Sequence, residues 1–275
     1  MSRTAIEFIL KAGVIWVTLL ITSILGAMSL GLGGEAVADD GPLRGDQAFL
    51  IVNGLHALVL SAIAVRANLA GWKLGVLLGV TLFLAQSFLL VIEALYFAGS
   101  VNAPMKELRD GSVLTLMGAI GVVIVASLFW RRAHATDHSE LRISRLVFPV
   151  AAVAILYVFS YFTAGYFIAW AVPEVRAYYG EGIEIELVPL LAFQVFRGAL
   201  WALLALALVR SMRDGVVMTA IIVGAAFSVL ASAQLLYPNP FMPWAVRLPH
   251  LIEVGISNFL FGAIAALILR RSASG

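Results

Sequence analysis

Near its end the chain reads RLPHLIEVGISNFLFG, Arg247 to Gly262, and within it His250, Glu253 and Ser257 are spaced by three and four residues. On a helix that spacing puts an imidazole, a carboxylate and a hydroxyl on one face. Such a set can bind a solute, relay a proton or serve as an acid/base pair. Comparable groups recur along the chain: Asn53 with His56, Gln86 with Glu93, Gln194 with Arg197, Ser232 with Gln234, and Asn258 beside Ser257.

Strongly apolar sequence surrounds all of these groups. The 275 residues are 62% hydrophobic and 12% charged, with a mean hydropathy of +1.00, far outside the range of soluble domains. Long apolar windows run from Ile6 to Leu32, Ala48 to Val65, Leu74 to Ala98, Val113 to Trp130, Leu146 to Val172, Leu187 to Val209, Val216 to Tyr237 and Leu248 to Leu269. They are continuous instead of alternating, which predicts helices and not barrel strands. The expected fold is an all-α integral membrane bundle of eight transmembrane helices in a single polytopic domain over residues 1–275, with the lipid bilayer as its first partner. The chain has no cysteine, which excludes disulfides and thiol chemistry. It has no P-loop, no Gly-rich strand-to-helix turn and no basic aromatic patch, so no nucleic acid is expected as a partner.

Charge sets the orientation. With the N-terminus inside, the inner segments collect Arg3, Arg66, Lys73, Arg131, Arg132, Arg142, Arg145, Arg210, Arg213, Arg270 and Arg271. The outer ones hold Arg44, Lys106, Arg109, Arg176 and Arg247 and most of the acids, among them Asp40, Asp46, Glu174 and Glu186. The positive-inside rule then predicts a bacterial-type cytoplasmic (inner) membrane protein with both termini cytoplasmic. The first segment also allows a signal peptide cut near AVADD, Ala36 to Asp40, but it is long for one.

The connector RRAHATDHSELRISR, Arg131 to Arg145, divides the chain into halves, 1–133 and 142–275. His134 and His138 within it have a spacing that suits a metal if the segment is helical; a solvated charged connector is the plainer reading. The halves share weak similarity: NGLHALVLSAIAVR from Asn53 against RGALWALLALALVR from Arg197, NAPM at Asn102 against NPFM at Asn239, and GAI at Gly118 and Gly262. Two parallel four-helix repeats would produce this; Ala/Leu-rich composition would too.

Counted inward from the outer helix ends, the polar groups share a depth of roughly 5–18 Å. A common outward-opening cavity explains that, with Asn53, His56, Glu93, Arg197, Gln234, Arg247, His250, Glu253, Ser257 and Asn258 as its ligand-binding residues. An unpaired Arg in lipid costs at least about 2.5–3.5 kcal/mol, so Arg197 is expected to pair with Glu253 or Glu93. The alternative is a structural network of polar residues holding helices together. In YPNPFMPWAVRLPH, Pro249 suits the first turn of the last helix, where free amides beside Arg247 would favour an anion; a tight Pro-stabilised turn is the alternative. His56, Glu93, His250 and Glu253 could ligate a divalent metal, and His56 with His250 a haem, but no HExxH is present and no cofactor is expected.

These residues point first to binding or transport of a small solute or ion. Next comes an enzyme acting on a lipid or isoprenoid at the outer leaflet, and third a structural or partner-binding membrane subunit.

Overall fold

The structure is a computed structural model and describes residues 2–32, 40–97, 104–131, 143–180 and 186–273. Eight of its helices are long and apolar enough to cross a membrane. They are α1 (Arg3–Ser29), α2 (Gly45–Arg66), α3 (Gly71–Tyr96), α4 (Met105–Phe129), α5 (Ile143–Ala164), α7 (Leu187–Ser211), α8 (Val216–Ser232) and α9 (Trp244–Ala273), with a short α6 (Pro173–Tyr179) between α5 and α7. Three irregular turns interrupt or extend them. α3 contains a π-helical turn at Leu84–Phe88, α5 runs into another at Gly165–Ala169, and α8 closes in a 3-10 turn at Ala233–Leu236.

All eight predicted segments are present, with shifted ends. α4 begins at Met105 instead of Val113, because it opens with polar residues that an apolar window omits, and α9 begins at Trp244 instead of Leu248, because Arg247 cuts the window short. Pro249 consequently lies inside α9 and not in its first turn. The first amides are already engaged: Trp244 donates to Asp40 Oδ2 at 2.7 Å, and Val246 and Arg247 donate to Pro243 O. The expected anion site at that helix start is therefore filled by the chain itself. The sequence pairings at His134 and His138, at Asn102 and at the AVADD stretch through Asp39 lie outside the described residues.

The helices pack in two similar groups. In one, α1 lies against α2 and α4, and α3 against α4; in the other, α5 lies against α7 and α9, and α8 against α9. The groups meet through α2 on α8 and α3 on α7. Lipid offers no hydrophobic drive for helix association, so close backbone approach and dispersion carry the packing. Glycines permit it. A Cβ on Gly198 would sit 2.5 Å from the Ala154 carbonyl oxygen of α5, and one on Gly224 of α8 would sit 2.7 Å from that of Phe259 in α9. Leu60, Leu78, Leu82, Phe227, Leu230 and Phe261 fill the centre and are fully buried.

At the end of the bundle that carries both termini, the α2–α3 and α7–α8 connections bind one another. Asn68 N donates to Ser211 O at 2.7 Å, Arg213 N to Arg66 O at 3.1 Å, and Ala67 and Met212 form an antiparallel bridge. The Arg66 guanidinium meets Asp214 at 2.8 Å, and Arg270 donates to the carbonyls of Val209, Met212 and Asp214. Paired charges and satisfied carbonyls close that end.

Candidate functional site

At the opposite end a charge pair joins the two groups of helices. Arg197 projects from α7, ten residues past its start, and Glu93 from the last turn of α3. Their contact is bidentate: Nη1 donates to Glu93 Oε1 at 2.6 Å and Nη2 to Oε2 at 2.8 Å. This is the strongest geometry open to a guanidinium and a carboxylate. Nη1 also donates to Gln194 Oε1 at 3.1 Å, one turn back on the same helix. Tyr157, Tyr161 and Phe193 place their rings 5.6–5.9 Å from the guanidinium carbon, and Tyr96 stacks on Phe193 at 4.3 Å. The Arg197 side chain is 6% exposed and that of Glu93 23%. The cation is fixed in an aromatic cage while its acid faces outward. Arg197 Nε and Gln194 Nε2 are buried with no hydrogen-bond partner.

Beside this pair, His250 and Glu253 of α9 form a dyad, with Nδ1 2.8 Å from Oε2. The Tyr179 hydroxyl lies 3.2 Å from His250 Nε2. With Glu253 ionised, Nδ1 carries the hydrogen and Nε2 accepts from Tyr179. Burial, with Tyr178 and the Glu253 and Glu93 carboxylates adding to it, pushes the Tyr179 hydroxyl well above the usual tyrosine range, so it remains a donor. Tyr179 is held by stacking on Trp170 at 5.9 Å. Glu253 abuts the π-helical turn of α5, its Oε1 3.7 Å from where a Cβ on Gly165 would be. Each acid of the site thus neighbours a π-helical turn, a feature that concentrates at functional positions.

The two centres form one cluster. α5 links them: the rings of Tyr157 and Tyr161 lie 5.6 and 5.9 Å from the Arg197 guanidinium carbon, and Gly165, one turn further on, abuts Glu253. Below them the aromatic rings of Tyr157, Trp201, Phe227 and Phe261 interlock at centroid distances of 4.5–6.5 Å. That floor separates the cluster from the termini end.

Four of the ten residues expected to line the site are therefore brought together: Glu93, Arg197, His250 and Glu253. Of the two anticipated partners for Arg197, the structure selects Glu93. Arg247 stands apart, 1% exposed, donating to the Leu235, Tyr237 and Asp40 carbonyls and the Asp40 carboxylate, with Trp244 over its face. It clasps the loop before α2 to the start of α9. Asn53 is buried, donates to Phe49 O at 2.8 Å and lies in hydrogen-bonding reach of the Tyr237 hydroxyl. His56 is buried on α2 with no partner at Nε2. Gln234, Ser257 and Asn258 bond to carbonyls of their own helices at Ala231 and Val254. Among the described residues no three of His, Asp and Glu cluster as metal ligands, and both ring nitrogens of His250 are engaged.

Three tyrosines escaped the sequence reading. Tyr157 and Tyr161, four apart in α5, signal a polar-tipped stripe in hindsight; Tyr179 lies on the short helix α6, which no long periodic pattern marks. Buried Asp110, held by Lys106 and Arg109 at the start of α4, was missed too because it precedes the apolar window. Comparison with known protein families, with curated proteins and with solved structures finds no match for this chain.

Proposed function

We propose that this multi-pass membrane protein binds a small solute or ion at the Arg197–Glu93 and His250–Glu253 cluster and carries it across the bilayer by relative motion of two four-helix halves. The halves are parallel repeats: α1, α2, α3 and α4 correspond in order to α5, α7, α8 and α9. Their internal packing follows the same pattern, and the even number of crossings per half gives both the same orientation. The observation that carries transport is that charged pairs bridge the halves at both ends, Arg197–Glu93 at one and Arg66–Asp214 at the other. Each pair is a closure that can open while the other holds. With both termini in the cytoplasm, Arg197–Glu93 is the outer closure, which gives the cluster its outward access.

A second reading has its own support. A groove of about 520 Å3 lined by Tyr166, Phe167, Trp170, Ala171 and Arg176 lies behind the chain Trp170–Tyr179–His250–Glu253. An aromatic groove with one basic residue suits an amphiphile, and the dyad could supply acid/base chemistry to it at the outer leaflet. Motion separates the two. Cysteines at Met105 and Leu187, exposed at the site end of opposite halves, take spin labels cleanly because the chain has no other thiol. Transport predicts two distance populations whose ratio shifts between acid and neutral pH. One unchanging population would contradict it and favour the enzyme.

A further inference from the structure

We infer that the solute is a small monocarboxylate with a planar or apolar body, and that its carboxylate takes the place of Glu93 on Arg197 as Glu93 takes up a proton. The inference rests on the transport role proposed above. Its starting point is the polarity of the unused groups. Arg197 Nε and Gln194 Nε2 are both buried, both unpartnered and both donors. The amide assignment is fixed by chemistry, because Gln194 must present its oxygen to Arg197 Nη1 and is left with its NH2 free. A cation finds no benefit in two free donors; an oxyanion does. Tyr157, Tyr161 and Phe193 supply flat apolar walls for the remainder of the ligand.

Charge decides the stoichiometry. Arg197 is the cluster's one guanidinium, matched by Glu93, while Glu253 has His250, which Tyr179 bonds in turn. A second anion entering beside an ionised Glu93 leaves a buried charge uncompensated, which is expensive. Protonation of Glu93 removes that charge: solvent delivers one proton to the carboxylate, its contacts to Nη1 and Nη2 are released, and the incoming carboxylate accepts from the guanidinium in its place, with the free Nε added to the donors. One proton and one monoanion then occupy the site, with no net change in its charge. A dianion would exceed what one guanidinium balances. Glu93 is the mobile partner because it is the more exposed of the two and stands on the two-turn segment Leu89–Tyr96 above the π-helical turn of α3. The groups around it that carry or exchange charge are Arg197 on α7, Tyr157 and Tyr161 on α5, Tyr179 on α6, His250 and Glu253 on α9, and, at the same end of α4, Asp110 with the two cations it pairs with, Lys106 and Arg109.

Benzoate is a suitable probe, with benzylamine and sulfate as controls, in calorimetric titrations of the full chain in nanodiscs. Wild-type protein should bind benzoate at least about tenfold more tightly at about pH 5.5 than at about pH 8. Glu93→Gln should bind it equally at both, near the acid-form affinity, and Arg197→Met at neither. If the Gln variant fails to fold, the wild-type pH dependence decides alone. PH-independent binding by the wild type, preference for benzylamine or sulfate, or no binding of benzoate overturns the inference. In that last case persistence of the two distance populations would leave the transport role standing, and their absence would remove it as well.

Discussion

Asn53 with Tyr237 and Arg197 with Glu93 occupy matching places in the two halves and differ in charge. The same number of residues separates Asn53 from Arg197 as Glu93 from Tyr237, and Gly54 from Gly198. Each pair bridges the halves: Asn53 on α2 reaches Tyr237 at the end of α8, and Arg197 on α7 reaches Glu93 on α3. The Tyr237 hydroxyl is pushed up to about 12, chiefly by burial, so that copy stays neutral across the physiological range. One bridge is a neutral hydrogen bond and the other a charged pair. The difference teaches that an ion pair here is not needed to hold the halves together, since a hydrogen bond serves at the matching place. Under the proposed transport role, that charge is what the site uses.

Breaking each bridge should show the contrast most strongly. Glu93→Ala leaves Arg197 buried without a counter-charge and should cost about 3–5 kcal/mol, whereas Tyr237→Phe should cost about 0.5–1.5 kcal/mol. Unfolding titrations in mixed micelles read both, and equal losses would break the comparison. Replacing both Arg197 and Glu93 by Met should restore most of the stability lost in Glu93→Ala, because an apolar pair often equals a buried ion pair. The neighbouring glycines should differ in the same direction. Gly198→Ala forces a methyl against the Ala154 carbonyl at 2.5 Å and should cost about 1–3 kcal/mol. At Gly54 the added methyl meets Trp16 Nε1 at 3.6 Å, ordinary contact, and the same substitution should leave thermal stability nearly unchanged.

Much of this was legible in the sequence. Eight continuous apolar windows fix eight helices because lipid tolerates no unpaired backbone. The need of Arg197 for a carboxylate was legible from cost alone. The choice of Glu93 over Glu253 was not, since it depends on α3 and α7 facing each other across the halves. Arg247 misled for a related reason: its partner Asp40 is on a loop more than two hundred residues away in the chain, and only the fold shows that the guanidinium is consumed there. Helix starts in charged sequence, as at Met105, and π-helical turns that shift side-chain register carry no signature in composition.

The proposed transport role requires the Arg197 cluster to open to each side of the membrane in turn. A single cysteine replacing Tyr161, beside the Arg197 guanidinium, can be treated with a small membrane-impermeant thiosulfonate in right-side-out and in inverted vesicles. Alternating access predicts labelling from both sides, slowed from the cytoplasmic side when Arg66 and Asp214 are cross-linked shut. Labelling from the outer side alone would contradict it.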